Sequence, residues 1–181
     1  MEEIFLTLEE LQKLRPLSPN LNLEKINNWI FEAQIDEMRN FLGGELYKLM
    51  AEDWDGTNFL EPRFVSLWEG DESGEEIYFG LWRAIGFFSI SNIIKNNSFN
   101  VTRYSNSEMD SDIEEQARET AATSSASVSY SQGIKMMNEA QDYLEENASD
   151  YPEYQVNLEE KPSTFEYLRV PPNRKNLKNG F

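Results

Sequence analysis

Between Asn22 and Leu42 the chain carries two apolar stripes at helical spacing. One holds Ile26, Trp29, Ile30 and Ala33; the other holds Phe31, Ile35, Met38 and Leu42 at i, i+4, i+7 and i+11. A helix lying on one neighbour needs a single apolar stripe. Two predict a helix buried on more than one side, by its own core or by another subunit. Asn22 is a fitting N-cap, and Gly43-Gly44 interrupts or kinks the helix.

The remaining apolar periodicity is also helical. Thr7 and Glu10 form a T-x-x-E capping box ahead of Leu8, Leu11 and Leu14. Glu45 to Glu52 reads as a helix, and Pro62 suits the first turn of another through Trp68. A helix from Glu75 to Asn96 carries Ile77, Leu81, Ile85, Phe88 and Asn92 on one side. Arg83 lies mid-span of its apolar stretch, with Gly80, Gly86 and Ser89, so it reads as a buried helix and not a membrane span. Phe99, Val101 and Arg103 alternate with polar residues, which predicts an extended segment near 98–105. A helix of up to about 55 Å then runs from Ser107 or Asp110 to Glu146. Within it, Ala126, Val128 and Tyr130 alternate with serines. Residues 123–132 therefore fit a continuous or kinked helix, or a break with a short strand. The fold class expected is mainly α: a helical bundle with a long C-terminal helix, over residues 1–154.

The segment after residue 154 differs. Residues 161–181 hold five basic side chains and one acidic, whereas residues 1–160 hold 11 basic and 32 acidic. A basic extended arm at 155–181, bearing Arg169, Arg174, Lys175 and Lys178, is suited to an acidic neighbour or to remaining a solvated tail. The apolar residues Trp29, Phe31, Ile35 and Met38 are the matching candidates for contacts between proteins.

Composition removes whole classes of chemistry. Of 181 residues none is Cys and none is His. Disulfides, thiolate nucleophiles, Cys-based zinc sites and His-dependent triads are absent. A net charge of -17 repels phosphate, which argues against ordinary nucleic-acid binding by the body. The acidic start, MEEIFLTLEE, does not look like a signal peptide. No phosphate loop or G-x-G-x-x-G is present. Asp53, Asp55 and Asn58 cluster, but without EF-hand spacing, and read as a polar surface loop. A carboxylate-based hydrolase needs a pair across a cleft, and none is nominated. Trp29, Trp54, Trp68 and Trp82 fit core packing. No enzyme activity, metal or cofactor is expected.

Several short signatures have a familiar order: Glu32-Ala33-Gln34, Phe41-Leu42-Gly43-Gly44-Glu45-Leu46-Tyr47, Asn100-Val101-Thr102-Arg103-Tyr104, Asn138-Glu139-Ala140-Gln141-Asp142-Tyr143-Leu144 and Tyr151-Pro152-Glu153-Tyr154. Over residues 4 to 154 the chain resembles the head-to-tail connector (adaptor, or head-completion) proteins of tailed bacteriophages, including the ring proteins of crAss-like phages. The arm after Gln155 lies outside the resemblance, and the Asp110 to Gln132 stretch is longer than the family's link. The resemblance implies a structural virion protein. It would form a cyclic ring, usually of twelve copies, under the portal protein and above a tail or further ring protein. Genomic DNA would pass without specific binding, no membrane would be involved, and the protein would reside in host cytoplasm during assembly. An acidic DNA mimic that binds a basic protein is the alternative expectation from charge alone.

Overall fold

The computed structural model describes residues 4–17, 22–72, 77–102 and 111–154, without the side chains of 97–102 and 111–119. Among them the chain is mainly α: α1 (Leu8–Leu14), α2 (Leu23–Ala33), a π-helical turn (Gln34–Arg39), α3 (Asn40–Leu42), α4 (Gly44–Asp53), α5 (Pro62–Glu69), α6 (Leu81–Thr102) and α7 (Ser111–Glu146). The arm at 155–181 lies outside the described residues.

The local signals act as their chemistry requires. Glu10 N–H donates to Thr7 Oγ1 at 3.2 Å, and Thr7 N–H donates to the Glu10 carboxylate at 2.7 Å, closing the capping box. Asn22 Oδ1 accepts from Lys25 N–H and starts α2. Gly43, at φ 82°, separates α3 from α4, and Pro62 opens α5.

The π-helical turn resolves the two-stripe problem. Ile26, Ile30 and Ala33 face inward, and one extra residue per turn then shifts the phase. Gln34, Met38, Phe41 and Leu42 follow them into the core. Half of the second stripe is thus satisfied inside the subunit. Buried Gln34 secures the turn: its Oε1 accepts from Phe5 N–H at 3.0 Å, and its Nε2 donates to Tyr47 Oη at 2.9 Å. Phe5 sits fully buried among Tyr47, Trp54, Phe59 and Trp68, with ring centroids 5.2 to 6.0 Å away.

α6 is the central element. Leu81, Ala84, Ile85, Phe88, Ile90 and Ile93 are all buried, so it is enclosed on several sides, as its uniform hydrophobicity requires. The buried Ser89 hydroxyl donates to Ile85 O, and Ser91 donates across to Ala126 O at 2.9 Å. Against α6 lies the seam of α7: Ala126, Gly133, Met137, Ala140 and Leu144. Residues 123–132 are helical, because this seam outweighs the strand-like alternation. Two of their serines donate to carbonyls one turn back, Ser129 to Ser125 and Ser131 to Ser127.

Two expectations are corrected. The helix expected from Glu75 begins at Leu81. Residues 77–80 form an extended stretch in which Tyr78 and Asp71 exchange both backbone hydrogen bonds at 2.9 Å. Its cause is long-range: Tyr78 Oη donates to Leu67 O at 2.8 Å, and its ring stacks on Tyr143 at 4.3 Å. Gly80, at φ 88°, turns the chain into α6 where a Cβ would overlap the Trp68 carbonyl. The extended segment near 98–105 is also not formed: α6 continues through Asn96-Asn97 to Thr102, and 103–105 lie outside the described residues. Asn96 Nδ2 donates to Asn92 O, so its side chain bonds the helix it was expected to end.

The α6–α7 seam makes a direct prediction. A Cβ on Gly133 would stand 2.7 Å from the Phe88 ring, which is held edge-on to Tyr130 at 5.1 Å. Gly133→Leu should lower unfolding free energy by about 2 kcal/mol, despite leucine's better helix propensity, because overpacking outweighs it. Urea denaturation followed by circular dichroism measures this, and a neutral result would mean the helices part easily.

Candidate functional site

The side chains that sequence reasoning assigned to protein contacts divide in two. Phe31 and Ile35 are half-buried on the outward side of α2 and its π-helical turn, and Trp29 is half-buried at the edge of the inward side, against the core. Met38 is fully buried in the subunit core, carried inward by the phase shift, so it offers no surface. Arg169, Arg174, Lys175 and Lys178 lie outside the described residues.

A second surface was hidden by the misplaced start of α6. In the extended stretch, side chains alternate. Tyr78 points inward, so Ile77 and Phe79 point outward, 56% and 41% exposed. Arg83, in the first turn of α6, lays its guanidinium over Phe79 at 4.6 Å and over Trp82 at 5.3 Å. Its buried Nε has no hydrogen-bond partner, and no described carboxylate lies within ion-pair distance. The sequence signal available was Gly80, which suits a turn better than a helix interior.

Where the described chain ends, it is latched. Arg63 Nη1 donates to Asp150 O at 2.9 Å and pairs with the Glu153 carboxylate at 3.2 Å, while its Nε pairs with Glu61. Tyr151 Oη donates back to Arg63 O, and Tyr154 packs against Phe41 at 5.7 Å. Burial pushes the Tyr151 and Tyr154 hydroxyls above their ordinary range, so both stay protonated. The last described residue, Tyr154, is therefore held beside Phe41.

The acidic loop behaves as a capped turn. The Asp55 carboxylate accepts from Thr57 and Asn58 N–H at 2.8 Å each, which lowers its pKa. Asp53 accepts from Leu60 and Glu61 N–H. Among the described residues no group of three His, Cys, Asp or Glu side chains could hold a metal ion, and no helix is long and apolar enough to cross a membrane. Trp54 and Trp68 are core residues; Trp29 and Trp82 are half-buried against that core.

Glu37 is a half-buried carboxylate whose surroundings pull its proton affinity in both directions. It stands in the π-helical turn beneath Tyr130 of α7, whose Oη donates to its carboxylate at 3.3 Å. Burial raises its pKa, and Asp36 adds to this; the Tyr130 hydrogen bond and the Lys95 ammonium oppose it.

One family model matches, over residues 38–164: the DUF6712 family, whose function is unknown. The chain belongs to the DUF6712 family. No curated protein and no solved structure matches it. The matched region runs from Met38, in the π-helical turn, through the Phe79–Arg83 surface and α7 to the Arg63-latched turn and beyond. In this DUF6712 chain the match thus covers both the exposed Phe79–Arg83 surface and the latched turn at Tyr151–Tyr154.

Glu37 supplies a pH prediction. Its folded pKa is raised, so the folded state holds the proton more tightly than the unfolded one. Stability is then lost as pH rises through the range between the two pKa values. Glu37→Gln should raise Tm at pH 7 and leave it unchanged at about pH 3, where both states are protonated. Equal shifts at both pH values would assign the effect to packing instead.

Proposed function

We propose that this chain is a structural subunit of a ring at the head–tail junction of a tailed bacteriophage, seated under the portal protein and above a tail or further ring protein. It works without turnover or cofactor, through interfaces, and it resides in the virion after assembly in host cytoplasm.

The observation that carries the reading is the outer side of α7. The helix is 36 residues long, about 54 Å. From Thr120 to Ile134 it contains no charged residue, in a chain that is 27% charged. Ala121, Thr123, Ser124, Ser127, Val128 and Ser131 are exposed there, and Val128 is 56% exposed. The solvated end of the same helix carries Glu139, Asp142, Glu145 and Glu146 instead. Small uncharged side chains let another protein surface approach closely without stranding a charge. The acidic body supports the passage role, since a wall that repels phosphate does not hold DNA in transit. The helical order and signatures described above supply the family likeness.

Electron microscopy of the full chain added to portal-bearing particles tests the proposal. Ring density below the portal is expected, and a chain that never joins such particles would contradict it. A chain lacking residues 161–181 should assemble more weakly while melting as the full chain does, because the latch ends at Tyr154.

A further inference from the structure

We infer that the Ile77–Phe79–Arg83 surface is one half of a heterologous contact between copies of this chain, and that it receives the outward stripe of α2 of the next copy. This deepens the ring reading and rests on it.

The first half is built from four side chains. Ile77 and Phe79 are exposed because Tyr78 is anchored inward, and Trp82 flanks them. Arg83 is held by aromatic faces at 4.6 and 5.3 Å. In a chain with 33 acidic residues to 16 basic, this guanidinium stacks on aromatic rings with no described carboxylate within ion-pair distance. Stacked arginine beside exposed aromatics is the composition of an interface centre, where a planar guanidinium takes a carboxylate from the other side.

The second half has the complementary character. Glu24, Asn28, Phe31 and Ile35 follow i, i+4, i+7 and i+11, opposite the buried Ile26, Ile30 and Ala33. Glu24 is exposed, Phe31 and Ile35 are half-buried, and the stripe joins one carboxylate to an apolar strip. The first surface joins one guanidinium to an apolar strip. The two surfaces differ, so each copy uses both, which is the head-to-tail arrangement that closes into rings. The charge match selects an acidic partner, and a second copy of this chain is one.

A charge swap tests the pairing, read by sedimentation velocity of the full chain. Arg83→Glu and Glu24→Arg should each weaken self-association about tenfold, as loss of a specific interfacial pair does. The double variant should recover most of that loss, since every contact then regains an opposite-charge pair. Unchanged melting of each variant separates this from unfolding. Replacing Phe79 with the photocrosslinker p-benzoylphenylalanine should give a self-adduct mapping to residues 24–35. Single variants that associate like the parent, a double variant that stays weak, or adducts elsewhere would overturn the pairing. So would a parent chain that is monomeric up to about 1 mM. In each case the ring reading is judged separately, by particle microscopy.

Discussion

Contact between α6 and α7 is the constraint on which the rest of the subunit depends. α6 is apolar around most of its circumference and must be enclosed. α7 encloses it with a seam whose small members, Ala126, Gly133 and Ala140, let the two backbones come close. Leu11 and Leu14 of α1 approach α6 at Gly86, and α2 packs along the same helix. The seam also decides what remains outside. Once Ala126, Ser129 and Gly133 face inward, the uncharged residues Ser124, Ser127, Val128 and Ser131 are left on the outer side of α7.

Much of the fold was legible because its signals are local. A threonine and a glutamate three residues apart cap α1, asparagine caps α2, glycine separates α3 from α4 and proline opens α5. Each acts through its own backbone and needs no distant residue. The π-helical turn was not legible, since a fixed 100° per residue assigns the inward residues Met38 and Leu42 to the stripe of the outward Phe31 and Ile35. Nor was the stretch at 77–80, whose direction depends on Leu67 and Tyr143. The alternation at 98–102 misled, and that at 123–132 left a strand open beside the helix that formed, for one reason: a few alternating residues carry less information than the helix that contains them. At the surface, Trp29, Phe31 and Ile35 were legible as apolar residues in excess of one neighbour. Met38 was not, and Phe79 and Arg83 were hidden inside a helix that starts later than expected.

Among the described residues the core is held by an aromatic box around Phe5, an amide pinned by Gln34 and a turn latched by Arg63. Function then belongs to what the core leaves unsatisfied. Three such regions stand out: the outer side of α7, the outward stripe of α2 and the aromatic-stacked Arg83. On the proposed reading, these are the faces by which copies and neighbouring rings recognise one another. On the same proposed reading, net charge would govern behaviour toward passing nucleic acid.

The most direct measurement is the copy number of this protein in purified tailed particles made by the genome that encodes it, by quantitative mass spectrometry against the portal protein. The account predicts one copy per portal subunit, which is twelve per particle. Absence from the particles, or a small and variable number per particle, would contradict it.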